Sequence, residues 1–446
     1  MSEQLPNLIE EVIQQTTPQS VINDASTVIA QSDEKELALL LESLPIEERI
    51  ALWETIADKR KLDVLIEMRS DPREILIEST DATLWDTLFV DIEAEDLLEL
   101  ADSLPQKLLA QAYAAMDKVQ KSYFIQANEY TEGEIGHWAS HAFLVLPQNA
   151  KVRDGLRLIR RDIPRHCDLI FLTNRSGQFS EAVPIALLHT QPEHVPLVDI
   201  ALDDISVIND KESCLIAAKQ VQLSGYGALP IVDENQQLLG RLDVTTAAEL
   251  SFEEYERQLM ATAGMDEDED LFAPVKKSAQ NRAVWLGINL LTAFLASAFI
   301  GMFEATLQQV VALAVLMPVV ASMGGIAGSQ TLTLIIRGLA LNQVSPANVG
   351  ALLSKELKVG GLNGIIWALV IGVVAVFWFG DPMLGVVIGL AILLNIIAAA
   401  TAGIFVPVIL DKLKIDPALS GSVILTTVTD IVGFVAFLGL GTLFLL

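Results

Sequence analysis

The sequence predicts a multidomain chain of the α plus α/β class. Its expected parts are an N-terminal helical solenoid, two small α/β modules in tandem, a connecting helix and a five-helix transmembrane domain, assembled as a homodimer. Three observations carry this prediction. Apolar residues make up 52% of the 446, high for a purely soluble protein. Charge divides the chain: residues 278–446 hold six Lys or Arg and six Asp or Glu, leaving 23 basic and 51 acidic residues in 1–277, where the whole net charge of −28 therefore sits. The polar part also changes its period near residue 138, from helical runs to short strand-like runs between helices. The expected boundaries are 1–137 for the acidic helical domain, 138–199 and 200–250 for the two modules, 251–277 for the connecting helix and acidic linker, and 278–446 for the membrane domain.

The acidity argues against a nucleic-acid partner, because phosphate binding needs clustered Lys and Arg, and it favours cations. Cys167 and Cys214 form no CxxC pair and no disulfide framework, which suits a reducing cytoplasm. The polar, acidic start MSEQLPNLIE lacks the basic and apolar regions of a signal peptide.

In the first domain, EKELALLLESLPIEERIALW (34–53) is similar to EAEDLLELADSLPQKLLAQAY (93–113), with Leu44-Pro45 matching Leu104-Pro105 and Trp53 matching Tyr113 at an offset of 60. Helices stopped at Ser-Leu-Pro and restarted after it read as a small solenoid.

Further on, CDLIFL, VPLVDI and ALPIVDENQQLLGRLDV read as strands, the last as a hairpin turning at Asp233–Gln237. The stretch GYGALPIVDENQQLLGRLDVTTAAEL (225–250) resembles the second half of a CBS domain, and AKVRDGLRLIRRDIPRHCDLIFLTNRSGQF (150–179) resembles a degenerate first copy. The resemblance implies a tandem CBS pair. Such pairs commonly bind adenine nucleotides through Ser or Thr followed three residues later by Asp. Here the order is reversed, Asp243 before Thr246, a departure that leaves nucleotide binding at the pair an open expectation.

The segment SFEEYERQLMATAGMDEDEDLFAPVKK (251–277) reads as a helix ending near Gly264, an acidic run and a basic pair. Counted from Asp266, a calcium loop needs Gly sixth and Glu twelfth; Leu271 and Lys277 stand there, which excludes it. A solvated linker is the plain reading of the acidic run. Its place between the acidic body and the membrane also suits it to hold cations between carboxylates.

Five segments are long and uncharged enough to cross roughly 30 Å of hydrocarbon: Ala283–Phe303, Ala305–Ile336, Val359–Gly380, Pro382–Leu410 and Pro417–Leu446. With residues 1–277 cytoplasmic, Lys276, Lys277, Arg282, Arg337, Lys355, Lys358, Lys412 and Lys414 all fall inside, and the outer turns carry Glu304 and Asp381. The positive-inside rule then places the C-terminus outside, in a multi-pass membrane protein. In PVVASMGGIAGSQ, Ala321, Gly324, Gly325 and Gly328 allow close backbone approach, with Gly324 and Gly328 forming a GxxxG. A packing face is the plain reading. Asn289, Asn363 and Asn395 read as interhelical hydrogen-bond donors.

Asp430 is of another kind. An acid at bilayer depth costs roughly 2.5–3.5 kcal/mol on insertion scales, and none of the five spans, as bounded above, has an interior base to pair with it. Two readings remain: a hydrated ion path, or a protonated structural acid. Thr426, Thr427 and Gly433 share its helical face. The membrane part has no His or Cys, so an oxygen lining suits hard cations. Magnesium keeps most of its waters and is typically held by one or two carboxylates, which a twofold pair of Asp430 side chains would supply. No P-loop is present. Inward passage of a divalent ion down 100 mV is already favourable by roughly 4.6 kcal/mol, so a gated channel suffices.

With these parts in this order the chain resembles the MgtE family of magnesium transporters, most specifically in PVVASMGGIAGSQTLTLIIRGLA (318–340) and DPALSGSVILTTVTDIVGF (416–434). The resemblance implies a non-enzymatic homodimer whose ion path runs between the second and fifth helices of both subunits. Asp430 lies in the pore, and Thr426, Thr427, Gly433, Gly325 and Gly328 lie along it. It implies a plug helix at about 251–265 and closure by cytosolic Mg2+ bridging acidic faces, with Asp416, Glu249, Glu253, Glu254, Asp203 and Asp204 as the regulatory carboxylates, although in its own sequence context Asp416 reads equally as a helix N-cap before Pro417. Two departures stand out. Ile326 replaces the Asn of the GGN found in many members, which admits Co2+ or Mn2+ as the transported ion. Thr245-Thr246 replaces paired acids after the last CBS strand, which shifts sensing toward Glu249, Glu253 and Glu254. From another class, a membrane-anchored CBS sensor that transports nothing is the competing expectation, although no output enzyme or DNA-binding domain is recognisable.

Overall fold

The structure, a computed structural model, describes residues 9–10, 32–161, 163–265, 268–341 and 343–446. It divides into two units: 1–255 with 268–275, and 256–267 with 276–446. Asp266 and Glu267 of the acidic run, and most of the first 31 residues, lie outside the described residues.

The first unit opens with short helices: α1 Glu34–Glu42, α2 Ile46–Thr55, α3 Asp58–Ile66, α4 Ser70–Ser79, α5 Trp85–Leu88, α6 Ala94–Leu100, α7 Gln106–Ala115 and α8 Lys118–Ala127. Asp33 begins α1 with a capping box to Glu36, satisfying N–H groups that have no partner inside the helix. The two Ser-Leu-Pro copies act alike, Pro45 capping α2 and Pro105 capping α7. Proline cannot donate to the preceding turn and disfavours helix in the residue before it, so the chain reverses there. The helices bury one core that includes Leu37, Leu41, Leu52, Trp53, Leu65, Trp85, Phe89 and Leu97.

The described end of the acidic run is no solvated linker. Asp270, its side chain 1% exposed, receives two hydrogen bonds from the fully buried Arg49, at 2.6 and 2.8 Å. The same guanidinium donates to the carbonyls of Leu41 and Leu44. Asp268 accepts from the Ser70 N–H, and Glu269 is buried. Residues 268–270 are thus built into the helical domain. Burial raises the Glu42 carboxyl beside this pair, with Arg69 and Arg49 opposing.

Two α/β modules of one topology follow. The first has β1 Leu144–Pro147, α9 Val152–Ile159, β2 Leu169–Thr173, β3 Phe179–Pro184 and α10 Ile185–Leu188. The second has β4 Ile208–Asn209, α11 Cys214–Ser224, β5 Ala228–Val232, β6 Leu238–Asp243 and α12 Val244–Thr262. Each sheet pairs its first two strands parallel and the last two antiparallel, the CBS-pair arrangement. The expected hairpin forms, its turn tied by Asp233 accepting from the Asn235 and Gln237 N–H groups. VPLVDI is not a strand: Leu197–Ile200 is a 3-10 turn. Pro192 and Pro196 precede that turn, and proline supplies no ladder donor. The connecting helix starts seven residues earlier than the expected 251, because Asp243 accepts from the Thr245 and Thr246 N–H groups and caps α12 at once.

His141 joins helical domain to modules: its ring stacks on Tyr123 at 3.6 Å between centroids, and its backbone N–H donates to Glu95 at 2.9 Å. Burial pushes its imidazole down to about 4. A folded value below the unfolded one gives stability that is present above about pH 6.5 and is lost as the pH falls toward 4. Thermal melts are expected to show this unit losing about 1 kcal/mol from this group between pH 7 and 5.5, and His141→Gln to flatten that dependence.

The second unit holds five helices long and apolar enough to cross a membrane: α13 Val275–Gly301, which begins at the last residue of the first unit, α15 Val311–Ala340, α16 Val349–Phe379, α17 Pro382–Lys412 and α18 Pro417–Leu445. Two expected bounds are corrected. The second segment does not run unbroken from Ala305: a short α14, Glu304–Gln309, precedes a break at Val310, and Thr306 is hydrogen-bonded to Thr442 at 2.8 Å. No Gly or Pro marks the break, so packing sets it. The third helix begins at Val349 instead of Val359, because Lys and Glu are good helix formers and hydropathy marks where lipid begins, not where helix begins. Glu356 therefore sits inside a spanning helix and is 6% exposed. At the centre, α17 packs against α15, α16 and α18 through Leu384, Val387, Ile388, Ala391, Ile392 and Ile396.

Candidate cation site

Asp430 lies about 20 Å along α18 from Pro417. It lines two hollows. One is a groove of about 760 Å3 between α15 and α18, walled by Ser322, Gly325, Ile326, Ser329, Gln330, Thr333 and Thr426. The other, about 250 Å3, is lined by Trp285, Asn289 and Thr292 of α13, Ser422, Thr426 and Thr427 of α18, and residues 262–264 at the end of α12. The hydroxyls of Thr426 and Thr427 donate to the carbonyls of Ser422 and Val423 at 2.8 and 2.7 Å. Their protons are thus engaged in the helix, and their oxygens remain as acceptors. A half-buried carboxylate among hydroxyl and amide oxygens can hold a hydrated hard cation.

The structure brings Thr426, Thr427 and Gly325 to Asp430 and turns Gly328 and Gly433 away. Gly328 faces Leu425, and Gly433 faces Asn395. Ser322, Ser329, Gln330 and Thr333 were missed as groove residues. Their recurrence at three-, four- and seven-residue steps along one helix face was the available signal. Ile326, 57% exposed, belongs to the groove.

Of the three asparagines read as interhelical bonds, Asn395 forms one: fully buried, it donates to the Val320 carbonyl at 2.9 Å. Asn289 lines the hollow beside Asp430 and Asn363 lines a cleft beside Glu356. The Asn395 carboxamide occupies space left by Gly324 of α15 and Gly433 of α18. A Cβ on Gly324 would stand 2.7 Å from its Cγ, and one on Gly433 would stand 3.0 Å from it. The GxxxG therefore closes helices within this chain. Gly433→Ala is expected to cost about 1–3 kcal/mol, as overpacking does, seen as a lower melting temperature in detergent, and Asn395→Ala in the same chain to recover part of it.

The expected regulatory carboxylates do not converge. Asp416 caps α18 through the Ala418 N–H at 2.7 Å and pairs with Arg257 at 2.6 Å. Glu249 is paired with Lys35, which also lies 3.6 Å from Glu67. Glu253 and Glu254 lie on α12 near Cys214, whose thiol is pushed to about 12 by burial, with both carboxylates adding to the rise. Such a thiol stays protonated and is a poor metal ligand. Asp203 and Asp204 are exposed on the loop between the modules. Among the described residues, no group of three or more His, Cys, Asp or Glu is placed to hold a metal ion. These positions hold Arg257 and Lys35 as counter-charges, a feature that could not be read from spacing.

Beyond residue 262 the chain turns against α13. Gly264 has a φ of +71°, and a Cβ there would stand 2.9 Å from the Trp285 ring. Both the left-handed backbone and the close approach call for glycine.

Comparison with known proteins gives the following. Residues 317–440 match a family model described as MgtE, divalent cation transporter, and residues 32–133 match the MgtE intracellular N domain. The chain is 24% identical over 433 residues to a magnesium transporter MgtE of Bacillus subtilis (strain 168), covering 95% of this chain and 94% of that one. It is 24% identical over 442 residues to a magnesium transporter MgtE of Thermus thermophilus, covering 94% and 97%. Among solved structures, the cytosolic domain of the Mg2+ channel MgtE in complex with ATP is 14% identical, with a TM-score of 0.46, over 54% of this chain and 98% of that one.

Proposed function

Because the chain belongs to the MgtE family of divalent cation transporters, we propose that it is a homodimeric Mg2+ channel of a bacterial inner membrane, admitting the ion down its electrochemical gradient. Asp430 carries the reading. It is a half-buried acid at mid-helix that lines a groove of hydroxyl and amide oxygens. The groove is bounded by the exposed Thr426 and Ile326 on its open side. A second copy about a twofold axis closes it and brings a second carboxylate, enough for an ion that retains most of its waters.

Cytosolic Mg2+ closes the channel in this proposal. Support comes from the turn at residues 262–264, which shares the smaller hollow with Asp430, and from the acidity of residues 1–277. A plug at the end of α12 needs little movement to occlude the carboxylate.

Ile326 in the groove favours a second reading, a broader divalent transporter. Liposomes holding the pure protein decide between them. The expected result is Mg2+ influx, reduced by millimolar Mg2+ on the cytoplasmic face and competed weakly by Co2+ or Mn2+. Equal competition moves the assignment to the broader transporter. Absence of flux for all three ions leaves the non-transporting sensor.

A further inference from the structure

A second polar cavity lies in the membrane unit, away from Asp430. It is a cleft of about 580 Å3 bounded by α15, α16 and α17. At its head Glu356, 6% exposed, accepts a hydrogen bond from Thr331 at 3.0 Å and pairs with the ammonium of Lys355 at 2.9 Å. Gln330 and Asn363 add amide oxygens, and Trp367, Leu334 and Ile396 complete the wall. A carboxylate offers about four acceptor sites. Two partners leave capacity toward the cleft.

Glu356 lies three residues before the stretch that hydropathy gives to lipid, yet it is 6% exposed, and a buried carboxylate is costly unless it is paired or holds a metal. Packing alone would be served by an apolar side chain in this position. The polar donors here are oxygens, which suit hard cations. Six waters occupy roughly 180 Å3, so the cleft accommodates an ion with its hydration shell. Glu356 is about 10 Å along α16 from Val349, nearer a helix end than Asp430. Gln330 and Ile326 line both this cleft and the Asp430 groove.

The geometry points to a second cation site within each protomer, in which Glu356, Thr331, Gln330 and Asn363 hold a hydrated divalent cation that competes with Lys355 for the carboxylate. Its place beside Gln330 makes it a waiting station next to the Asp430 groove. The site does not depend on Asp430 conducting.

The test uses full-length protein labelled with fluorotryptophan in lipid nanodiscs, with Mn2+ as a paramagnetic probe. The fluorine resonance of Trp367, assigned by Trp367→Phe, reports the cleft, and that of Trp285 reports the hollow at Asp430. Mn2+ is expected to broaden both. Asp430→Asn should spare Trp367 while protecting Trp285. Glu356→Gln, which keeps the shape and an acceptor for Thr331, should raise the Mn2+ needed to half-broaden Trp367 at least tenfold. Lys355→Gln, at an exposed position, should lower it several-fold by removing the competitor, a shift that a packing role for Glu356 would not produce. A Trp367 resonance indifferent to Mn2+, equal in Glu356→Gln, or unmoved by Lys355→Gln overturns the site whatever the flux. A broadened Trp367 together with normal flux in Asp430→Asn overturns the pore assignment instead.

Discussion

Asp430→Asn is expected to reduce Mg2+ flux into liposomes by at least a hundredfold while the protein keeps its size-exclusion profile and melting temperature. The substitution is isosteric and removes one charge per protomer. A divalent ion about 5 Å from a carboxylate, at an effective dielectric constant near 20, is held by about 7 kcal/mol. Even with most of that screened by water in an open groove, a few kcal/mol remain, and each 1.4 kcal/mol is a factor of ten. Thr426 and Thr427 still offer oxygens, but neutral acceptors do not replace the charge. Wild-type flux in a correctly folded Asp430→Asn protein refutes the pore assignment. Asp430→Glu, which keeps the charge and shifts it by one methylene, should retain measurable flux with altered selectivity.

The largest stability effect is expected at Arg49. Its guanidinium is fully buried and makes two hydrogen bonds to Asp270, which lies 221 residues away. Arg49→Met leaves Asp270 charged, buried and unpaired on that side, a change that costs about 3–5 kcal/mol in comparable buried pairs. For a unit of this size the melting temperature should fall by roughly 10 °C. Residues 268–275 should also become sensitive to protease. Arg49→Met with Asp270→Leu removes both charges and should recover most of the loss, because burying the pair costs desolvation that an apolar contact avoids. Unchanged cleavage in the single variant would show that the run is held by its other contacts, such as the bond from Ser70 to Asp268.

Much of the architecture was legible in the sequence. The Ser-Leu-Pro copies set helix ends because proline acts on the two or three residues beside it. The hairpin at Asp233 and the five apolar segments follow equally from local pattern. Asp430 stood out because no base accompanied it within the spans, a property of composition alone.

What the sequence determined by itself, then, is where helices and strands run, which stretches prefer lipid, and that one acid at depth needs water or an ion. Tertiary structure decided which side of each helix meets which neighbour. It turned Gly433 and Gly328 inward, put Ile326 and four unsuspected polar residues into the groove, and buried Glu356. It also placed Arg257 on Asp416, Lys35 on Glu249 and Arg49 on Asp270, where the family resemblance and the place of the acidic run had suggested carboxylates open to metal. The reason is physical. Backbone preference and hydropathy depend on neighbours a few residues away, whereas a charge finds its partner by distance in space, and these partners lie 159 to 221 residues apart.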